Sequence, residues 1–272
     1  MAPRAEIYRL PGTDLQEEAG YFQVPGAHLY TVLHRVMDPI ARVLLVGPFA
    51  SDRQNSYLPW IRWSRHLAAK GIEVLRFDYR GIGESIGTFE EMNFQIWDAD
   101  LHILADWFFN RIPALPLVLH GLEIGALFAA KLFDGGVGDS MLLWSPPPNA
   151  NQALRSTLLR WVGLEQLLTP GAERRSPSEY IRHLEAGESI EVEGYLWSPR
   201  LWHDSFHWVL PQIPTGQEKA STDGDRVRIV HLPKEAAPLV KGGFVGYDEV
   251  KNFDWLFDRE SLWIESQVIS SP

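Results

Sequence analysis

The chain of 272 residues contains no cysteine. Disulfides and thiolate metal sites are therefore excluded, and nothing in the covalent framework points to secretion. Basic charge is the next shortage: 25 Lys and Arg stand against 35 Asp and Glu, a formal net charge of −10. Binding to a phosphate backbone needs clustered Lys and Arg, and no basic run occurs, so nucleic acid is not an expected partner. Long apolar runs are missing too. None reaches the roughly 18 residues that mark a membrane span. The opening Met1-Ala2-Pro3-Arg4-Ala5-Glu6 has no apolar leader core. The expectation is a cytoplasmic protein with no membrane span. No internal repeat and no low-complexity segment is visible.

What is abundant is apolar side chain. At 45% hydrophobic content the chain can bury one large core, and its length suits a single domain over 1–272. Eleven tryptophans are many. Most are expected to pack between helices and sheet. Trp144, Trp197, Trp202 and Trp208 are the candidates for an aromatic-lined pocket or partner surface.

Residues 21–24 and 28–34 read as an opening hairpin around Pro25-Gly26. The β-branched apolar run Arg42 to Phe49 is a strand closed by Gly47-Pro48. A helix is expected from about Trp60 to Lys70, stopped by Gly71. Ile72 to Asp78 is a second strand, running into the glycine-rich turn Tyr79 to Gly87. A helix carrying Trp97, Leu101, Leu104 and Phe108 follows. Leu117-Val118-Leu119 is a third strand, and Met141 to Trp144 a fourth, ending at Ser145-Pro146-Pro147-Pro148. This alternation predicts βαβ crossovers and a mostly parallel sheet with helices on both faces.

Residues 147–190 read as an amphipathic helical insertion, broken at Thr169-Pro170-Gly171. The alternating segment Ile190 to Trp197 is either an edge strand or part of that insertion. A helix should start at Pro199, with Leu201, Phe206, Val209 and Leu210 as apolar positions. Residues 211–225 read as a loop, and 226–232 as a core strand. A helix near 247–257 and a short last strand, Ser261 to Ile264, complete the expected order.

One residue looks out of place. The run Leu117 to Ala130 is strand, tight glycine turn, helix, and its centre is Gly121-Leu122-Glu123-Ile124-Gly125. The spacing is that of a nucleophile elbow, G-x-S-x-G, where a strained turn presents a serine. Here the position is Glu123.

Four features carry a resemblance in the right order over roughly residues 40–146. They are the Gly47-Pro48 strand end, Asp78-x-Arg80-Gly81-x-Gly83-x-Ser85-x-Gly87, Trp97-x-x-Asp100, and the elbow. Together they resemble the α/β-hydrolase superfamily, and imply its fold with a helical cap after the strand ending at Ser145. The sequence is most similar to a serine-lacking branch associated with bacterial exosortase and exopolysaccharide gene clusters. Leu142-Leu143-Trp144-Ser145-Pro146 followed by Gln152-x-Leu154-Arg155 also resembles that branch.

The resemblance implies three catalytic positions in the order nucleophile, acid, histidine. Glu123 holds the first. It can act as a carboxylate nucleophile or general base, or as a structural anion at the N-terminus of the following helix, whose dipole and free N–H groups favour negative charge. In the segment from His231 to Pro238, Glu235 falls at the acid position. The histidine should follow the last strand, yet no histidine follows His231 in this sequence. His231, at a strand end on the expected pocket edge, is the substitute candidate; His203 and His207 could enter from the cap side. The last two sit at i, i+4 and faintly suggest a metal pair, but lack a third ligand, so no metal and no cofactor is expected. Oxyanion-hole N–H groups would come from Phe49 and Ile124, since Pro48 has none. Pro48, Trp144 and Ser145 are expected to line the pocket. An ionised Glu123 at its floor would repel anions and prefer amines or hydroxyls. The expected function is a diverged or non-catalytic hydrolase-fold protein binding a small molecule or partner protein. The alternative is an active hydrolase of ester or epoxide carbon that uses Glu123.

Overall fold

The computed structural model describes residues 6–9, 15–168, 175–212, 226–233, 236 and 253–269. Eight strands form one sheet. They are β1 (Glu6–Arg9), β2 (Gln16–Val24), β3 (Ala27–Arg35), β4 (Ala41–Val46), β5 (Ile72–Phe77), β6 (Leu117–Leu122), β7 (Ser140–Trp144) and β10 (Val227–Val230). A separate two-stranded hairpin consists of β8 (Ile190–Val192) and β9 (Tyr195–Trp197). The large sheet runs in the order β1-β2-β3-β5-β4-β6-β7-β10. From β5 to β10 every pairing is parallel, while β1, β2 and β3 form an antiparallel extension. The central strands β4, β6 and β7 are buried along their whole length, as parallel strands covered on both faces must be.

Strand alternation assigns each side chain to one of two cores. Leu44, Val46, Leu119 and Leu143 face the helices α2 (Phe94–Arg111) and α3 (Gly125–Asp134), where Trp97, Leu104, Phe108 and Phe128 pack. Val43, Leu45, Val118 and Leu142 face α1 (Ala50–Ala69) and α7 (Asp254–Ile269), through Trp60, Trp63, Leu67, Leu256 and Phe257. Between β7 and β10 the chain forms α4 (Ala150–Leu168), α5 (Pro177–Glu185), the β8–β9 hairpin and α6 (Pro199–Asp204). Leu154, Leu158, Tyr180, Leu184 and Trp202 of this segment join the first core.

Three expectations need correction. The helix expected from Trp60 starts at Ala50 and carries Pro59 inside it; its polar first turns hid it. The helix from Pro199 stops at Asp204 and tightens into a 3₁₀ turn, Ser205–His207, after which Val209 bridges to Asn149 instead. Ser261 to Ile264 is no strand. It lies within α7, whose buried Leu256, Phe257, Glu260, Ser261 and Ile264 follow helical spacing.

Candidate functional site

The elbow is built from the chain upward. β6 ends at Leu122, and Glu123 turns into the left-handed region at φ +51°. Its N–H donates to the Trp144 carbonyl at 2.9 Å, and its carbonyl accepts from Ala126 N–H at 2.9 Å. Helix α3 begins at once. The two flanking glycines are steric requirements: a Cβ on Gly121 would fall on the Ala126 backbone, and one on Gly125 on the carbonyls of Val46 and Gly47. Strand, turn and helix can approach this closely only with glycine at both places.

Strain concentrates around this turn. Four non-glycine residues among those described have positive φ: Ala50 (+54°), Glu123 (+51°), Ser145 (+46°) and Glu193 (+50°). The first three line one pocket of about 280 Å³. The fourth, in the β8–β9 turn, holds a side chain of that pocket, Arg160. Each such conformation costs on the order of 1–3 kcal/mol and tends to persist at functional sites.

The register explains who meets whom. Leu122 and Val230 both pair with Trp144, so the next residues, Glu123, Ser145 and His231, leave three adjacent strands at one level. All three line the pocket, as do Phe49 and Ile124. No backbone carbonyl among the described residues takes the N–H of Phe49 or Ile124. Ile124 sits at the N-terminus of α3, where such N–H groups are free by construction. The Ser145 hydroxyl accepts from Leu232 N–H at 3.0 Å.

Two expected pocket residues lie elsewhere. Trp144 is fully buried on the opposite side of the sheet, with ring centroids 4.5 Å from His120, 5.4 Å from Trp63 and 6.1 Å from Trp60. Alternation requires this, since Leu143 faces the other core. Pro48 faces a small separate crevice with Arg53, Tyr57 and Trp60. Of the remaining tryptophans, Trp197 lines the pocket. Trp202 lies under Arg155 and Trp208 under Lys131. His203 and His207 do not line the pocket, and no cluster among the described residues could hold a metal ion. Glu235 lies outside the described residues.

The sequence reading missed a charged cluster in the pocket wall. Arg160, on α4, donates Nε and Nη2 to Glu193 at 2.8 and 2.9 Å and pairs through Nη2 with Asp52 at 2.8 Å. Asp52 lies in the first turn of α1 and also lines the pocket. One guanidinium thus joins α1, α4 and the hairpin. Burial opposes ionisation of Glu193, but hydrogen bonds from Arg160 and Ser51 outweigh it and hold the carboxyl below its ordinary range. Burial also opposes the charge on Arg160, and Glu193 and Asp52 more than compensate.

No family model and no curated protein sequence matches the chain. Solved structures do. A soluble variant of monoglyceride lipase from Saccharomyces cerevisiae, in complex with a substrate analogue, superposes with a TM-score of 0.59 at 16% identity over 98% of this chain and 100% of that one. Est1E from Butyrivibrio proteoclasticus, with ferulic acid bound, gives 0.59 at 13% identity over 92% and 99%. This chain has the α/β-hydrolase fold. Glu123 stands at the turn between β6 and α3, and α4 to α6 lie between β7 and β10. Among the described residues no helix is long and apolar enough to cross a membrane.

Proposed function

We propose that this chain is a diverged, non-catalytic α/β-hydrolase-fold protein that binds a small molecule in the pocket over Glu123. The observation that carries the reading is an elbow kept in full steric detail with its nucleophile exchanged for Glu123. Had the pocket lost all use, nothing would maintain four strained residues around it. Residues 147–190 serve as a cap on a single domain, since Pro147, Gln152, Leu154, Thr157 and Arg160 supply one wall. The similarity to the exosortase-associated branch supports a role in the bacterial cytoplasm, beside exopolysaccharide or lipid-linked sugar assembly, where a partner protein could read the bound state.

One observation favours a second reading: His231 lines the same pocket as Glu123. In that reading Glu123 is nucleophile or general base toward an ester or epoxide. His231 activates water, Glu235 orients it, and the N–H groups of Phe49 and Ile124 hold the oxyanion.

The binding reading is tested by ligand-observed NMR with a fragment panel on the wild type and on Ala153→Trp, which fills the pocket. Fragments should bind the wild type and be lost from the variant. A wild type that binds nothing, or binding that Ala153→Trp leaves untouched, would overturn it.

A further inference from the structure

Arg53 and Arg76 both lie over the ring of Tyr57, their guanidinium carbons 5.1 and 5.9 Å from its centroid. Two cations that share one aromatic ring repel each other unless anions stand beside them. Arg53 has its anion: Nε and Nη2 hold the buried Asp78 carboxylate at 2.8 and 2.7 Å. Arg76 has none. Its Nε donates to His34 Nε2 at 3.2 Å, and neither Nη makes a hydrogen bond or ion pair among the described residues. Neither Nη is among their buried unpaired atoms, so both reach water.

The surroundings leave that charge uncompensated. His34 is neutral, since burial and the nearby Arg76 push its pKa down to about 3. Its Nδ1 lies 3.4 Å from Glu17, which Arg65 already holds at 2.6 and 3.2 Å. Arg53, Arg65 and Arg76 thus face only Asp78 and Glu17, a positive surplus in a chain of net charge −10. The run from Arg65 through Glu17 and His34 also fixes the Arg76 side chain, so little rotamer freedom remains to be lost on binding.

Arg53, Tyr57 and Arg76 line a crevice with Pro48, Trp60 and Tyr79. Asp78, the one carboxylate in its lining, is committed to Arg53, and the exposed Glu84 does not line it. The crevice shares no residue with the pocket over Glu123: Pro48 and Arg53 face the crevice, while Phe49 to Asp52 between them face the pocket. It holds about 20 Å³, room for about one water. A headgroup oxygen fits there and the body of a ligand does not.

We propose that Arg76 anchors a second binding site, for an oxyanion headgroup, carboxylate or phosphate. Its two Nη groups are the uncommitted end of a planar fork that matches either. One oxygen enters the crevice beside Arg53 and Tyr57, and the rest of the ligand stays in solvent. The site is independent of whatever occupies the pocket over Glu123.

The test is NMR titration of the isotope-labelled full chain with inorganic phosphate and with acetate, the ionic strength held constant with sodium chloride. The Arg76 Nε–H signal should shift saturably, with a Kd on the order of 1 mM for at least one of the two anions. Saturation by phosphate alone assigns a phosphoryl group, by acetate alone a carboxylate, and by both the shared oxyanion. The backbone amides of Phe77 and Asp78 report on variants. Arg76→Lys keeps the charge and loses the fork, and should weaken binding by about three- to tenfold, the worth of one hydrogen bond. Arg76→Met should abolish it. Should Arg76→Met fail to fold, the wild type and Arg76→Lys decide. No saturable shift with either anion, the same shift with chloride alone, full affinity in Arg76→Lys, or binding by a folded Arg76→Met would each overturn the proposal.

Discussion

Glu123 and Ser145 leave neighbouring parallel strands at the same level, linked by the hydrogen bond from Glu123 N–H to the Trp144 carbonyl, and both turn into the left-handed region. The Glu123 side chain is therefore carried on a strained turn beside a second polar residue in the same backbone state.

The turn's dependence on glycine gives the first prediction. Gly121→Ala and Gly125→Ala each drive a Cβ into backbone atoms that cannot yield. Each should cost about 3 kcal/mol or more. Gly163→Ala, in the interior of α4 with no atom within 4 Å of the added Cβ, should stabilise by roughly 0.5–1 kcal/mol. Urea unfolding of the three variants checks the contrast. Equal effects would contradict the close approach at the elbow.

Serine chemistry should be absent. Ser85 is buried, its hydroxyl donating to the Asp78 carbonyl at 2.6 Å and accepting from Tyr30 N–H at 2.8 Å. Ser145 lines the pocket but receives Leu232 N–H at its oxygen. Fluorophosphonate probes should label neither. Glu123→Ser should also remain a poor esterase, with kcat/KM far below the ~10⁴ M⁻¹s⁻¹ of an ordinary enzyme, since a serine needs a base worth about 10²–10⁴-fold. Stoichiometric labelling of Ser145, traced by peptide mass, would place the nucleophile there.

Arg160→Met should loosen the junction of α1, α4 and the hairpin. The pair is mostly buried, with the arginine side chain 25% and Glu193 11% exposed, so the loss is placed between surface and buried values, at about 2 kcal/mol. The pH dependence has a definite sign. The folded-state pKa of Glu193 is lowered. Its contribution is therefore present above the ordinary carboxylate range and lost as pH falls through the folded value. Arg160→Met should lose stability at pH 7 and converge on the wild type in acid. A constant difference across pH would count against the pair.

A second pH effect comes from two buried histidines. Burial is the largest cause that pushes His34 and His120 from 6.5 down to about 3, with Arg76 adding to the effect at His34. Between those values the unfolded chain binds a proton on each that the folded chain does not. Stability is then full above pH 6.5 and falls as pH drops through this window. His120→Leu should reduce the slope near pH 5 by about 1.4 kcal/mol per pH unit. Denaturant titrations at pH 5 to 7 read this directly, and parallel curves for wild type and variant would contradict it.

Much of the fold is legible because its physics is local. β4, β5, β6 and β7 are apolar runs punctuated by glycine and proline, and Gly121 and Gly125 are fixed by steric need. The side of the sheet that Trp144 takes is not legible, because being at a strand end says nothing about which face a side chain takes. That depends on the parity that puts Leu143 in one core and Trp144 in the other. The start of α1 is hidden by Ser51 to Ser56, a polar stretch with no apolar spacing to mark the first turns of the helix. The Arg160 cluster gives no local signal. Glu193 is 33 residues away and Ser51 109, and only the docking of α4 and the hairpin brings them together.

The proposed function places Glu123 at the elbow without catalysis. Its most direct test is turnover of an ester and epoxide panel by the wild type beside Glu123→Ala. The account predicts rates at the uncatalysed background for both proteins. Wild-type hydrolysis well above background, abolished by Glu123→Ala, would contradict it and make Glu123 the catalytic carboxylate.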